Sequence, residues 1–277
     1  MIIDSHQHFW RYSATRDGWI TDRMAALRRD FLPEHLAAEL GANGVASSIA
    51  VQADQSEQET LFLLDLAERH GFILAVVGWV DLRSDRLPER LEFFSRFPKL
   101  RGFRHIVQAE SDDRFLVRPD FLRGIGELER FGFTYDLLIY PRQLPAATEL
   151  AARCPGQKFA LDHMAKPSIQ AGEIDAWERE IRQLAAQPNV ICKLSGLVTE
   201  ADWSRWRAAD LQPYLDVVFE CFGTSRLMFG SDWPVCLLAA GYAKVVRIIR
   251  EYTEELPQPE REKVFHLNAA RFYGLAT

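Results

Sequence analysis

What the sequence lacks narrows the field first. No apolar run approaches the roughly 18 residues a membrane-crossing helix needs. The longest, Ile73 to Val80, has the length of a buried strand, so no membrane association is expected. The start, Met1-Ile2-Ile3-Asp4, has no basic segment followed by an apolar stretch, and no signal peptide is expected there. Cysteine is scarce: Cys154, Cys192, Cys221 and Cys236 are widely spaced and none forms a C-x-x-C pair. Free thiols in a reducing cytoplasm are the expectation, rather than disulfides. There is no block of five like charges, no Pro/Ser/Gly-rich linker and no repeat beyond an alternation of apolar runs with amphipathic stretches. G-x-S-x-G, P-loop and H-E-x-x-H signatures are also absent, which demotes a serine nucleophile, phosphoryl transfer and zinc-peptidase chemistry. A basic excess is missing too. The formal net charge is -6 over 277 residues, which argues against nucleic acid as a partner.

What is present describes a folded chain. Hydrophobic residues make up 48% and charged residues 26%, so a core can offset the entropy of ordering and disorder is excluded. Strands are predicted at Ile2 to Asp4, Val45 to Val51, Ile73 to Val80, Leu100 to Ile106, Thr134 to Ile139, Phe159 to Asp162, Val190 to Leu194 and Leu227 to Gly230. Near-continuous Val, Ile, Leu, Phe and Ala runs are what strands covered on both faces require. Helical patterns lie between them, among them Glu57 to Arg69, Glu173 to Ala186, Leu215 to Phe222 and Tyr242 to Tyr252. Eight β/α units predict parallel strands with right-handed crossovers, and a single (β/α)8 barrel over residues 1–277 is the simplest solution at this length. An open doubly wound sheet would show a glycine-rich turn after strand one. Here strand one runs into His6-Gln7-His8-Phe9-Trp10. The segment Arg11 to Leu40 exceeds a normal crossover and reads as an ordered loop at the site plus a helix from Pro33.

In such a barrel the chemistry sits at the carboxyl ends of the strands. Those ends carry His6 and His8, Gln52 and Asp54, Trp79 and Asp81, Arg104 and His105, Tyr140, Asp162 and His163, Lys193 and Ser195, and Ser231 and Asp232. Residues i and i+2 of a strand share a face, so His6 and His8 can hold one divalent cation between them. The bland alternative is two rim histidines bonded to backbone or water. Asp232, in Gly230-Ser231-Asp232-Trp233-Pro234, precedes a proline that restricts its turn. It is placed either to meet that pair and take a proton from water, or simply to cap a turn. His163 ends a buried strand as a ligand, a carbonyl polariser or a satisfied core histidine. Arg104 offers a planar fork for a carboxylate or carbonyl, with a structural ion pair as the alternative. Lys193 interrupts a buried run, so it either faces the mouth or pairs internally with a carboxylate such as Asp136. Trp10, Trp19, Trp79 and Trp233 are candidate walls for a flat ligand, or rim packing.

Taken together these strings resemble a family. His6-Gln7-His8-Phe9-Trp10, Gly78-Trp79-Val80-Asp81-Leu82, Gly102-Phe103-Arg104-His105, Leu161-Asp162-His163 with Lys166-Pro167, Lys193-Leu194-Ser195-Gly196-Leu197 and Gly230-Ser231-Asp232-Trp233-Pro234 are similar to the amidohydrolase-related branch of the amidohydrolase superfamily. That branch contains sugar-acid lactonases. The likeness runs from His6 to the Asn268-Ala269-Ala270-Arg271-Phe272-Tyr273 ending. It implies a (β/α)8 barrel, hydrolysis of a cyclic ester, and a central site matching His6, His8, His163 and Asp232. It implies one divalent metal ion, zinc, on those groups, although some relatives in the branch open lactones without a required metal. Strand five has no histidine and strand four offers His105 instead, which argues against a two-metal centre. On a lactonase reading Asp232 is expected as the general base, and Arg104, His105, Gln52, Trp79, Lys193, Trp19 and Trp233 are expected around a small-molecule lactone. Amide hydrolysis or nonoxidative decarboxylation of a small carboxylated substrate is the alternative on the same barrel. A cytoplasmic monomer or homodimer is expected.

Overall fold

The protein is described by a computed structural model covering residues 1–275. Each apolar run of the sequence becomes a strand: β1 (Ile3–Gln7), β2 (Ser47–Val51), β3 (Ile73–Gly78), β4 (Leu100–His105), β5 (Thr134–Leu137), β6 (Phe159–Leu161), β7 (Val190–Leu194) and β8 (Leu227–Phe229). They form one sheet in the order β1 to β8, with every named pair parallel. The barrel is drawn shut between β1 and the chain just past β8. There, Asp232 N donates to His6 O at 2.8 Å and His8 N donates to Trp233 O at 2.7 Å. The seam that closes the sheet therefore also sets the register of two histidines against Asp232.

The covering helices are α1 (Pro33–Ala42), α2 (Glu57–Arg69), α3 (Leu87–Phe94), α4 (Pro119–Phe131), α5 (Leu144–Arg153), α6 (Asp175–Ala185), α7 (Leu197–Glu200), α8 (Ala208–Phe222), α9 (Tyr242–Tyr252), α10 (Gln258–Glu262) and α11 (Asn268–Tyr273). The bounds of α2 and α9 match the sequence pattern. Helix α8 starts well before the predicted Leu215, and Pro213 sits within its second turn. One apolar layer lies between strands and helices. A second fills the barrel interior: Ile3, Ile49, Val51, Ala75, Val77, Ile191 and Met228 pack with Ala269, Phe272 and Tyr273 of α11, which plugs one end.

The long segment after β1 is ordered, as expected. Trp10 N donates to Phe31 O and Phe31 N to Trp10 O, both at 2.9 Å, pinning the loop at its two ends. Trp10 makes edge contacts with Phe31 and Trp19, and α1 begins at Pro33. None of the helices in the described residues is long and apolar enough to cross a membrane.

Candidate active site

Strand alternation decides which side chains enter the barrel. His6 and His8 share a face, and their Nε2 atoms lie 3.2 Å apart. Val51 O accepts from His8 Nδ1 at 2.7 Å, which leaves Nε2 as the free position. His163 arrives from the other side of the barrel. Its Nδ1 lies 2.8 Å from Ser195 Oγ, and its Nε2 faces Asp232 Oδ1 at 3.9 Å. Asp232 Oδ1 lies 3.4 Å from His8 Nε2 and 4.0 Å from His6 Nε2. Three imidazole edges and one carboxylate oxygen thus converge, and each ring has its Nδ1 in a hydrogen bond, with Val51 O for His8, Ser195 Oγ for His163 and Lys193 Nζ for His6.

Strained backbone places two of these groups. His163, Met164, Ala165 and Lys166 all have positive φ, between 51° and 60°, a left-handed turn made without glycine. Each such residue costs about 1–2 kcal/mol relative to the right-handed form. Gly196 makes the turn possible: a Cβ there would lie 2.7 Å from Cγ of the His163 ring, and its own φ is +68°. Asp232 has φ 58°. Its neighbour Ser231 is held by Asp4, which accepts from Ser231 N at 2.8 Å and from Ser231 Oγ at 2.6 Å. Burial pushes the Asp4 carboxyl up to about 6 against the pull of these bonds.

Beneath the imidazoles runs a charged layer. Lys193 Nζ lies 2.5 Å from Asp136 Oδ2, 3.0 Å from Asp162 Oδ1 and 3.2 Å from His6 Nδ1. Arg104 Nη1 donates to Asp162 Oδ2 at 2.9 Å and lies 3.2 Å from His6 Nε2. Tyr273 OH donates to Asp136 Oδ2 at 3.0 Å, tying α11 into the layer. Burial raises the Asp136 carboxyl to about 6, with Lys193 pulling it down. Burial also opposes the Asp162 charge, but Lys193, His6 and Arg104 outweigh it and hold that carboxyl well below its ordinary value. His6 is held neutral, chiefly by burial, and burial lowers His163 to about 4.

Charge balance within this group singles out Asp232. Arg104 and Lys193 are the cations of the layer, and they already pair with Asp162 and Asp136. Among the described residues, the groups of opposite charge type within 4.0 Å of Asp232 are imidazoles only. Burial works to raise its carboxyl, yet the imidazoles of His163, His8 and His6 hold it far below the usual range, so it is ionised at neutral pH. An ionised carboxylate facing three imidazole edges is a donor set suited to a divalent metal ion. His6, His8 and Asp232 place one ligand atom each within 4.8 Å of one another, as do His6, Asp162 and His163. The second set is the poorer one, since Asp162 is already neutralised by Arg104 and Lys193.

The site forms the floor of a cavity of about 550 Å³. His8, Arg104, His163 and Asp232 reach it from below, with Trp10, Trp19, Met24 and Trp203 on its apolar walls. Of the residues expected around a substrate, Arg104 and Trp19 line this cavity. Gln52, Trp79, His105, Lys193 and Trp233 are not among its lining residues. His105 follows Arg104 in the strand and therefore points outward, where it stacks on Phe115 and pairs with Glu110 at 2.7 Å. Trp79 Nε1 donates to His105 Nδ1 at 3.4 Å on that outer side. Gln52 Nε2 donates to Arg104 O at 3.0 Å, Trp233 packs edge-on against Phe9 and Phe31, and Lys193 lies in the charged layer. Sequence reasoning passed over Thr199, Glu200 and Trp203, which reach the cavity from α7 and the loop after it. They carry no motif. Their only signal was position, just after a strand end.

Imidazole and carboxylate groups meeting at the carboxyl ends of barrel strands define a class of barrel enzymes that activate water. Comparison with known proteins narrows the class: the amidohydrolase family matches residues 3–275, and the chain belongs to that family. It is 47% identical to a protein of Burkholderia multivorans described as L-fucono-1,5-lactonase, across 99% of this chain and 96% of that one. It is 40% identical to an L-fucono-1,5-lactonase of Burkholderia ambifaria, across 99% and 95%. Among solved structures, an amidohydrolase of Burkholderia multivorans with bound zinc superposes with a TM-score of 0.95 at 46% identity, over 100% of both chains.

Proposed function

We propose that the protein opens a sugar-acid lactone, of the L-fucono-1,5-lactone kind, to the free acid. The observation that carries this is Asp232: a buried carboxylate on the floor of an open cavity, facing three imidazoles. The two lactonases at 47% and 40% identity support the choice of ester over other substrates.

One zinc ion held by His6, His8, His163 and Asp232 would polarise the ester carbonyl. The chain's own groups do the rest. Asp232 takes a proton from a water on the cavity floor as the water oxygen bonds to the carbonyl carbon. When the ring C–O bond breaks, the departing oxygen takes that proton back from Asp232. Arg104 is anchored by Asp162 and by the Gln52 carbonyl, so its guanidinium presents a fixed positive charge at the cavity floor for the developing negative oxygen. Neutral His163, with Nδ1 tied to Ser195 Oγ, keeps its Nε2 edge toward the same place. Trp10, Trp19 and Met24 exclude water from one side of the ring.

The four cysteines are unpaired, which supports a reducing, cytoplasmic setting, and the substrate class supports a place in carbohydrate metabolism. The chain acts as a monomer or homodimer on a small molecule.

A pH-indicator screen of aldonolactones, before and after treatment with a chelator, tests the reading. Acid release from a six-membered aldonolactone is expected, with one zinc per chain before chelation and a fall in rate after it. Release of ammonia or carbon dioxide from other substrates, with no lactone opened, would overturn it.

A further inference from the structure

One charged pair in the cavity wall plays no part in the chemistry above. Lys166 ends the left-handed turn after β6, and Glu200 ends α7 after β7. Their side chains are 19% and 22% exposed, and Nζ lies 3.6 Å from Oε1. That separation is longer than a hydrogen bond. Among the described residues, neither charged group is hydrogen-bonded to any other protein atom, whereas Arg104, Lys193 and Asp162 below them are. Burial pushes the Glu200 carboxyl upward and Lys166 pulls it back, so the carboxylate is poorly solvated as well as loosely paired. Both residues line the cavity beside His163 and Asp232.

A half-buried ion pair with open valences calls for a partner that both donates and accepts. Adjacent ring hydroxyls meet that demand. One hydroxyl oxygen accepts from the Lys166 ammonium, and its neighbour donates to Glu200. A substrate carboxylate does not, because Glu200 repels it. A ring without hydroxyls displaces water from the pair and leaves both charges unsatisfied, the situation in which sites built for a hydroxyl discriminate most strongly.

We propose that Lys166 and Glu200 form a diol-reading subsite that selects hydroxylated, uncharged lactones. The proposal rests on the lactonase reading and assigns to that site a specificity element distinct from its reacting groups. It is tested by measuring kcat and KM for L-fucono-1,5-lactone and for unsubstituted δ-valerolactone, with wild-type protein and with the Glu200→Gln and Lys166→Met variants. In each variant the ratio of kcat/KM for the hydroxylated over the unsubstituted lactone should fall about tenfold or more, the loss of a single charge-assisted hydrogen bond. Most of that fall should appear as a raised KM for the hydroxylated lactone. If both lactones lose kcat/KM by the same factor in both variants, or if the ratio holds, the pair merely joins two loops and the subsite is refuted. Glu200→Gln keeps the shape of the side chain, so a folded variant is available even where Lys166→Met is damaged. Wild-type protein that opens neither lactone overturns the lactonase reading, and this subsite with it.

Discussion

Lys193 shows what a sequence can and cannot disclose about one residue. The run Val190-Ile191-Cys192-Lys193-Leu194 announces a lysine inside a buried strand, and its two readings, mouth or internal pair, stay open at that level. The structure selects the internal pair, with Asp136 on β5 and Asp162 just past the end of β6. Asp136 was already a candidate partner in the sequence; Asp162 was not, because nothing in a linear sequence tells which distant carboxylates the barrel brings together. His6, His8 and Asp232 were legible because each sits in a short string at a strand end. The left-handed turn at His163 was not, since nothing in Asp162-His163-Met164-Ala165-Lys166 signals positive φ; the signal lies in Gly196, whose missing Cβ makes room for the His163 ring. Arg104 and His105 could not both face a substrate, and strict alternation along β4 would have said so. Removing the Lys193 charge leaves two buried carboxylates with one cation fewer between them. Lys193→Met should therefore cost about 3–5 kcal/mol, read from chemical denaturation at neutral pH. A loss under about 1 kcal/mol would show that the layer does not depend on this cation.

At the scale of elements, apolar periodicity located the eight strands and most of the covering helices. It fell short at α8, whose first two turns lie before the predicted Leu215, and where packing alone makes the structure, as with the plug α11. The start of α2 holds a further consequence. Ser56 caps the helix by accepting from Glu59 N at 3.2 Å, while Glu59 Oε1 accepts from Asp54 N at 3.0 Å and from Ala53 N, fixing the chain just past β2. Burial raises the Glu59 carboxyl from 4.5 to about 7 against those bonds. The folded state therefore holds its proton more tightly than the unfolded chain does. The stability this contributes is complete below about pH 4.5 and is lost as pH rises through about 7. Glutamine keeps the accepting oxygen and carries no charge. Glu59→Gln should match wild type in urea denaturation at pH 4.5 and exceed it at pH 8 by on the order of 2 kcal/mol. An equal difference at both pH values would contradict the assignment.

For the whole molecule, closing the barrel and building the site are one event. The bonds from Asp232 N to His6 O and from His8 N to Trp233 O join the first strand to the last, and they set the carboxylate against the imidazoles. The charged layer below is balanced within itself, which leaves Asp232 as the carboxylate facing imidazoles alone. The sequence predicted the barrel and the four converging groups. It also offered Trp10 and Trp19 as walls and put Arg11 to Leu40 at the site, but it did not point to Glu200 and Trp203, which come from the end of α7 and the loop after it, a path that depends on the finished barrel. The most direct test of the account is the rate of acid release from L-fucono-1,5-lactone by wild-type protein and by Asp232→Asn, with thermal melting recorded alongside. The account predicts a fall in kcat of about 10²–10⁴-fold with the fold retained. Near-native turnover by Asp232→Asn would contradict it.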